Sequence, residues 1–79
     1  MNQKTLKELA DEYAANVAVL DSQIDRCRLA IVDARRRHKN ILVSRLMRNL
    51  SVLYAQREEQ AEIQRHLDGY YETKERAAV

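Results

Sequence analysis

Apolar residues recur at alternating spacings of three and four along the first half of the chain, the period of a helix that packs along one stripe. This first seam comprises Leu6, Ala10, Tyr13, Val17, Leu20, Ile24, Cys27, Ile31 and Ala34. Thr5 and Glu8 have the spacing of a capping box, so the sequence predicts a helix start there. Continued past Ala34, the same register meets His38, Ile41, Arg45 and Arg48, so the seam ends.

A second apolar stripe then begins in a different phase. It runs through Leu42, Leu46, Leu50, Leu53, Tyr54, Ala61, Leu67 and Tyr71. The change of phase predicts one helix over about 5–35, an elbow over about 36–40 and a second helix over about 41–72, with residues 73–79 frayed. No Gly or Pro marks the elbow, so one continuous helix with a phase shift stays an alternative.

The second helix also carries apolar residues away from this stripe. Ile41, Val52, Ile63 and Tyr70 lie well over 90° from Leu46 on a helical wheel. One stripe can face the first helix, and the other group needs a second partner. A chain of 79 residues is also short for independent stability, because a domain of this size buries only about 60% of its unfolded surface.

These patterns predict an all-α fold in which a two-helix antiparallel hairpin of coiled-coil type assembles into a helical-bundle oligomer, with a homodimer favoured. The residues expected in the core or at the interface are Leu6, Tyr13, Val17, Leu20, Ile24, Ile31, Leu46, Leu50, Leu53, Ile63 and Leu67. Arg57, Gln60 and Gln64 interrupt the second stripe, and we expect a polar layer there that sets the register of the helices.

Two residues of the second helix carry local signals. Asn40 is a suitable N-cap residue, because its side chain can accept a hydrogen bond from a backbone amide one turn later. Gly69 either ends the helix in a left-handed cap or is tolerated within it. The sequence leaves these two alternatives open.

Composition agrees with a single helical domain over residues 1–79. The chain has no Pro and one Gly, and 33% of its residues are charged, which suits long helices. Its apolar runs fall far short of the ~20 residues that cross a bilayer, so we expect a cytoplasmic protein with no membrane partner. The single cysteine, Cys27, lies on the first seam, where a reduced core thiol is expected.

Charge is distributed unevenly along the chain. Residues 1–24 have a net charge of −2, residues 25–48 of +6 and residues 49–79 of −2. A hairpin with this distribution is basic at the elbow and acidic where its ends meet. Two hairpins paired antiparallel would bring each elbow against the acidic end of the other, so we expect charge to set their orientation. The predicted function is therefore a non-enzymatic module for self-assembly or for binding a protein partner.

The basic segment over residues 26–48 supports a second hypothesis, that the protein binds nucleic acid through phosphate contacts. The expected basic patch comprises Arg35, Arg36, Arg37, Lys39, Arg45 and Arg48. Against this hypothesis, the net charge of the chain is only +2 and its tyrosines lie away from the basic segment. We therefore rank self-assembly ahead of nucleic-acid binding.

The sequence gives no sign of a catalytic or metal site. Glu58, Glu62 and His66 follow at intervals of four and share one side of a helix. Di-iron bundles instead place Glu and His three residues apart on two helices, so a solvated face is the better interpretation. His38 is interpreted as a turn residue. We expect no enzyme activity, no cofactor and no metal.

The second helix resembles a known group of proteins. The segments Leu50-Ser51-Val52-Leu53-Tyr54-Ala55-Gln56-Arg57-Glu58-Glu59 and Arg65-His66-Leu67-Asp68-Gly69-Tyr70-Tyr71 resemble the C-terminal half of small helical proteins carried on conjugative elements and prophages of Gram-positive bacteria. The resemblance covers about the last thirty residues. It implies an accessory or regulatory protein of a mobile element, with no established activity to transfer.

Overall fold

The chain folds into two helices that lie antiparallel along each other. The computed structural model describes residues 5–77, and the side chains of residues 5–69. Helix α1 spans Leu6–Arg36 and helix α2 spans Asn40–Ala77. This arrangement confirms the predicted all-α hairpin and excludes one continuous helix. The molecule measures 61 × 26 × 14 Å, so it is a single layer two helices wide.

Helix α1 begins as the capping-box spacing predicts. Thr5 has an extended backbone, with φ −69° and ψ 162°, and its Oγ1 accepts a hydrogen bond of 3.1 Å from the backbone amide of Glu8. The carbonyl of Thr5 accepts the first helical hydrogen bond, from Leu9 at 3.0 Å. Because the first amides of a helix lack partners within it, the threonine oxygen stabilises this end.

The elbow is a Schellman motif built without glycine. His38 has φ 55°, in the left-handed region, and its amide donates to the carbonyl of Arg35 at 3.1 Å. The amide of Lys39 donates across the turn to the carbonyl of Ala34 at 2.9 Å. These two bonds close the end of α1, and the left-handed residue reverses the chain. Histidine is one of the few residues other than glycine that is enriched at positive φ.

The start of α2 differs from the prediction. Asn40 is the first residue of the helix, and the first helical hydrogen bond runs from the amide of Val43 to the carbonyl of Lys39 at 2.9 Å. Lys39 therefore holds the N-cap position and the prediction of Asn40 as N-cap is wrong. A lysine ammonium has no acceptor, so its side chain cannot cap the amides that follow. Lys39 occupies the N-cap position because its backbone amide also completes the Schellman motif at the end of α1.

Helix α2 continues through Gly69 to Ala77. Gly69 does not have a positive φ, so of the two alternatives it is the one tolerated within the helix. A Cβ added to Gly69 would have no heavy atom within 4 Å. Residues 73–77, which were expected to fray, are helical, and residues 78–79 lie outside the described part of the chain.

The side of α2 that faces α1 is one heptad seam, whose phase differs from the predicted stripe. Its members are all buried or half-buried: Val43, Leu46, Leu50, Leu53, Arg57, Gln60, Gln64 and Leu67. Leu42 and Tyr54, which the stripe included, are 41% and 46% exposed. The stripe was misplaced because it followed apolar character through the middle of the helix, where the structure turns polar residues toward α1.

Candidate functional site

The interface between the helices has a dry part near the elbow. Ile24, Cys27, Ile31 and Leu53 form the buried cluster. Half-buried apolar side chains of both helices pack against it: Leu20, Val43, Leu46 and Leu50. The thiol of Cys27 donates to the carbonyl of Leu46 at 3.3 Å, which satisfies the one polar group in this cluster. Because the hairpin is a single layer, this cluster is enclosed by side chains of α1 and α2 alone.

The rest of the interface carries a polar layer. Arg57 of α2 forms a hydrogen-bonded ion pair with Asp21 of α1. One turn farther from the elbow, the amide of Asn16 donates to Gln60 at 3.4 Å. The hydrogen bond and the charge of Asp21 raise the pKa of Arg57 above its ordinary value. The predicted polar layer is therefore present, and each of these contacts joins specific positions on the two helices.

The structure distributes the predicted core and interface residues over two levels of burial. Ile24, Ile31 and Leu53 are buried. Eight are half-buried: Leu6, Tyr13, Val17, Leu20, Leu46, Leu50, Ile63 and Leu67. Ala10, Cys27 and Ala34 complete the buried set, and no large side chain among the described residues is fully enclosed. The hairpin alone therefore shields most of its apolar side chains only on one side.

Several large apolar side chains point away from the interface. Their exposed fractions reach 75% at Ile41 and 71% at Leu29. The others with large exposure are Val19, Val32, Leu42, Met47, Val52 and Tyr54. Ile41 and Val52 belong to the group of α2 residues for which the sequence predicts a second partner. The side chain of Tyr70, another member of that group, lies outside the described residues. Both broad faces of the hairpin are thus partly apolar.

The basic patch surrounds the elbow and does not form a stripe on one face. Its residues are all exposed: Arg35, Arg36, Arg37, Lys39, Arg45 and Arg48. Arg37 forms an exposed ion pair with Asp33 at 3.3 Å. Arg35 donates to the sulfur of Met47 at 3.9 Å, across the two helices. The structure brings these cations to one end of the rod but points them in different directions around its axis.

Charge divides the folded hairpin into two halves. The elbow half, residues 22–55, has eight Lys/Arg and two Asp, a net charge of +6. The open half, residues 1–21 and 56–79, has six Lys/Arg and ten acids, a net charge of −4. The long axis of the hairpin therefore has a positive end and a negative end. Such a charge distribution favours antiparallel over parallel pairing with a second copy.

Glu58, Glu62 and His66 of α2 do not converge on a single site. Within the described residues, no group of three His, Cys, Asp or Glu is arranged to hold a metal ion. Glu58 instead pairs with Arg65 at 3.2 Å, and both side chains are 66% exposed. Glu62 and His66 lie exposed on the same helix. This side of α2 is a solvated face.

Among the described residues, neither helix contains a segment apolar enough and long enough to cross a bilayer. Comparison with family models, with curated proteins and with solved structures finds no match to this chain. The function is therefore inferred from the geometry of the hairpin, its exposed apolar side chains and its charge distribution.

The sequence reasoning missed residues on α1 as well as on α2. Val19, Leu29 and Val32 are exposed apolar residues on the outer sides of α1. They lie off the seam of α1, and apolar residues off the seam indicate a second contact only when the positions of both helices are known. Val43 was missed because Leu42 beside it has equal apolar character, and only the packing chooses between them.

Proposed function

We propose that the protein is a non-enzymatic helical assembly module in which hairpins join into a bundle, with a homodimer as the basic unit. The observation that carries the proposal is the hairpin's single layer. Eight large apolar side chains are at least 41% exposed, on both faces of a structure only 14 Å thick. Scattered apolar residues are normal on a surface, but on α2 they form two rows, Ile41 with Val52 and Met47 with Tyr54.

Energetics support the same proposal. Fully burying one Val, Leu or Ile side chain contributes about 1.5–3 kcal/mol relative to leaving it exposed. A second hairpin laid over one face would bury several such side chains from each copy, which can offset the loss of freedom on association. A four-helix bundle is the common architecture that results when two hairpins cover each other. A protein partner with an apolar helix face could use the same surface.

The resemblance of α2 to mobile-element proteins belongs to this proposal as well. A binding module without catalytic groups suits an accessory or regulatory role in the cytoplasm. The antiparallel dimer and the nucleic-acid hypothesis draw on the same cations at the elbow. We rank the dimer first because the apolar rows need a cover that phosphate contacts do not provide.

Sedimentation equilibrium at micromolar concentration tests the proposal. We expect the chain to sediment at twice its 9.3 kDa monomer mass or more. Val52→Asp should weaken the assembly at least about tenfold, because it places an unpaired charge against apolar groups of the second copy. Ser51→Asp is the matched control, since it adds the same charge one residue away at an exposed polar position.

A stable monomer at micromolar concentration contradicts the module. In that case, binding of the monomer to a short DNA duplex, with an affinity that falls linearly on a log–log plot against salt, would support the nucleic-acid hypothesis. Replacing Arg35, Arg36 and Arg37 by Gln should then flatten the slope. An assembly unaffected by Val52→Asp would place the contact on the other face of the hairpin.

A further inference from the structure

One broad face of the hairpin contains a groove at the middle of the rod. Asn16, Val19 and Gln23 line it from α1, and Gln56 and Glu59 line it from α2. Val19 is 57% exposed, and the hydrogen bond from Asn16 to Gln60 lies beside it. We call this side the groove face. It also includes Val52 and Ile63, which lie within about 20° of one another on the wheel of α2.

Three apolar residues of the groove face, Val19, Val52 and Ile63, are spaced symmetrically about its middle. Ile41, which is 75% exposed on the same side of α2, stands near the elbow outside this set. Counted from the elbow at the helical rise of 1.5 Å per residue, Val52 stands at about 18 Å, Val19 at about 26 Å and Ile63 at about 35 Å. Distances from the elbow can be compared between the two helices, because Asn16 and Gln60 are hydrogen-bonded and both stand at about 30 Å from the elbow. A twofold axis through Val19 would therefore carry Val52 of one copy onto the partner's Ile63.

The charges on this face follow the same symmetry. Arg45 lies about 20° from Val52 on the wheel of α2, and Glu8 lies about 20° from Val19 on the wheel of α1. Arg45 stands at about 8 Å from the elbow and Glu8 at about 42 Å, so their midpoint falls near the level of Val19. One twofold axis thus brings Val52 to the partner's Ile63 and sets Arg45 at the same level along the rod as the partner's Glu8, on the neighbouring helix. A closed dimer requires this kind of self-complementary surface.

The opposite face lacks this symmetry. Its exposed apolar residues, Val32, Met47 and Tyr54, all belong to the elbow half. The ion pair of Asp21 and Arg57 crosses the helices near its middle. An antiparallel copy on that face would set apolar side chains against the charged open half, where Glu58 and Arg65 are paired. Among residues 5–69, the groove face is therefore the better match for a second copy in the antiparallel orientation.

We infer that a second copy of the chain docks antiparallel on the groove face, with Val19 of both copies at the twofold axis. This inference rests on the proposed assembly and adds the surface, the orientation and the register. Apolar contacts of Val19, Val52 and Ile63 hold the copies together. Arg45 and the partner's Glu8 select the antiparallel orientation, since a parallel pair would oppose two elbow halves of charge +6.

Disulfide trapping in a Cys27→Ala background tests the inference. Val19→Cys should form a cross-linked dimer under mild oxidation, because a disulfide needs Cα atoms within about 7 Å. Arg45→Cys should not, since antiparallel copies of residue 45 stand about 36 Å apart along the rod. Val32→Cys, on the opposite face, is the matched control for Val19→Cys. We expect cross-linking of Val19→Cys to be at least tenfold faster than that of either control.

Each other outcome has a defined meaning. Efficient cross-linking of Arg45→Cys together with Val19→Cys indicates parallel copies and overturns the orientation. Faster cross-linking of Val32→Cys overturns the choice of face. If the background protein sediments as an oligomer and Val19→Cys does not cross-link, the inference fails while the assembly module stands. If the background protein and the wild type are both monomeric but helical, the module itself fails.

Discussion

The two halves of the hairpin are held together by different chemistry. In the elbow half, Ile24, Cys27 and Ile31 of α1 pack against Leu53 of α2 in a dry cluster. In the open half, the same interface is crossed by the ion pair of Asp21 with Arg57 and by the amide pair of Asn16 with Gln60. The same heptad spacing continues through both halves, so only the residue types change.

This difference means that one half contributes most of the stability and the other half sets the register of the two helices. Apolar side chains contribute most of the free energy of folding. However, leucine and isoleucine can pack against each other equally well if one helix shifts by a heptad along the other. Polar pairs contribute little in water, yet each has one correct partner. The elbow half therefore supplies most of the stability of the helix pair. The open half determines which residues of the two helices lie opposite one another.

The largest expected effect lies in the elbow half. Ile31→Ala should lower the free energy of unfolding by about 2–4 kcal/mol, since Ile31 is only 6% exposed and the substitution leaves a cavity. Leu67→Ala in the open half should cost about 1 kcal/mol, because its side chain is only half-buried. Urea unfolding at one fixed protein concentration measures both. Equal costs would show that the open half is as tightly packed as the elbow half.

A change of intermediate size is expected at the elbow itself. His38→Gly should raise the free energy of unfolding by about 1 kcal/mol, because the left-handed conformation crowds a Cβ atom and glycine has none. His38→Ala is the control, since alanine keeps the Cβ and should bring no such gain. Thermal unfolding followed by circular dichroism distinguishes the two. A gain shared by both variants would trace to the imidazole and not to the backbone.

The smallest effect is expected in the polar layer. Asp21→Asn should shift the urea midpoint less than either change above, because both partners of the Asp21–Arg57 pair are substantially exposed. The shift should nearly vanish in 1 M salt, where the Debye length is about 3 Å. Glu58→Gln, which breaks an ion pair within α2, is the control without a role across the helices. A large shift that persists in salt would contradict the division between stability and register.

Much of the hairpin could be predicted from the sequence because its signals are local. The seam of α1 repeats without interruption from Leu6 to Ala34, and the cap at Thr5 depends on residues three apart. The phase of α2 could not be predicted in the same way. Arg57, Gln60 and Gln64 occupy seam positions, and only their partners on α1 explain why polar residues face inward there.

The elbow and the surface illustrate two further limits. Histidine in a left-handed conformation leaves no sequence mark comparable to glycine, so the exact turn at His38 could be placed only to within a few residues. The groove face depends on residues from both helices at matching heights along the rod. Its pattern, with Val19 on one helix and Val52 and Ile63 on the other, becomes visible once the pairing of Asn16 with Gln60 fixes that height.

The left-handed residue at the elbow also gives the chain a second way to satisfy its interface. Every residue from Arg36 to Asn40 is compatible with a helix, and the reversal depends on the unfavourable backbone of His38. If that residue relaxes to a helical conformation, α1 and α2 join into one rod, and each half can pair with the complementary half of another chain. The contacts in such a domain-swapped dimer would be the same as those within one hairpin. The equilibrium between the hairpin and the swapped dimer would then depend on the protein concentration and on the backbone strain at His38.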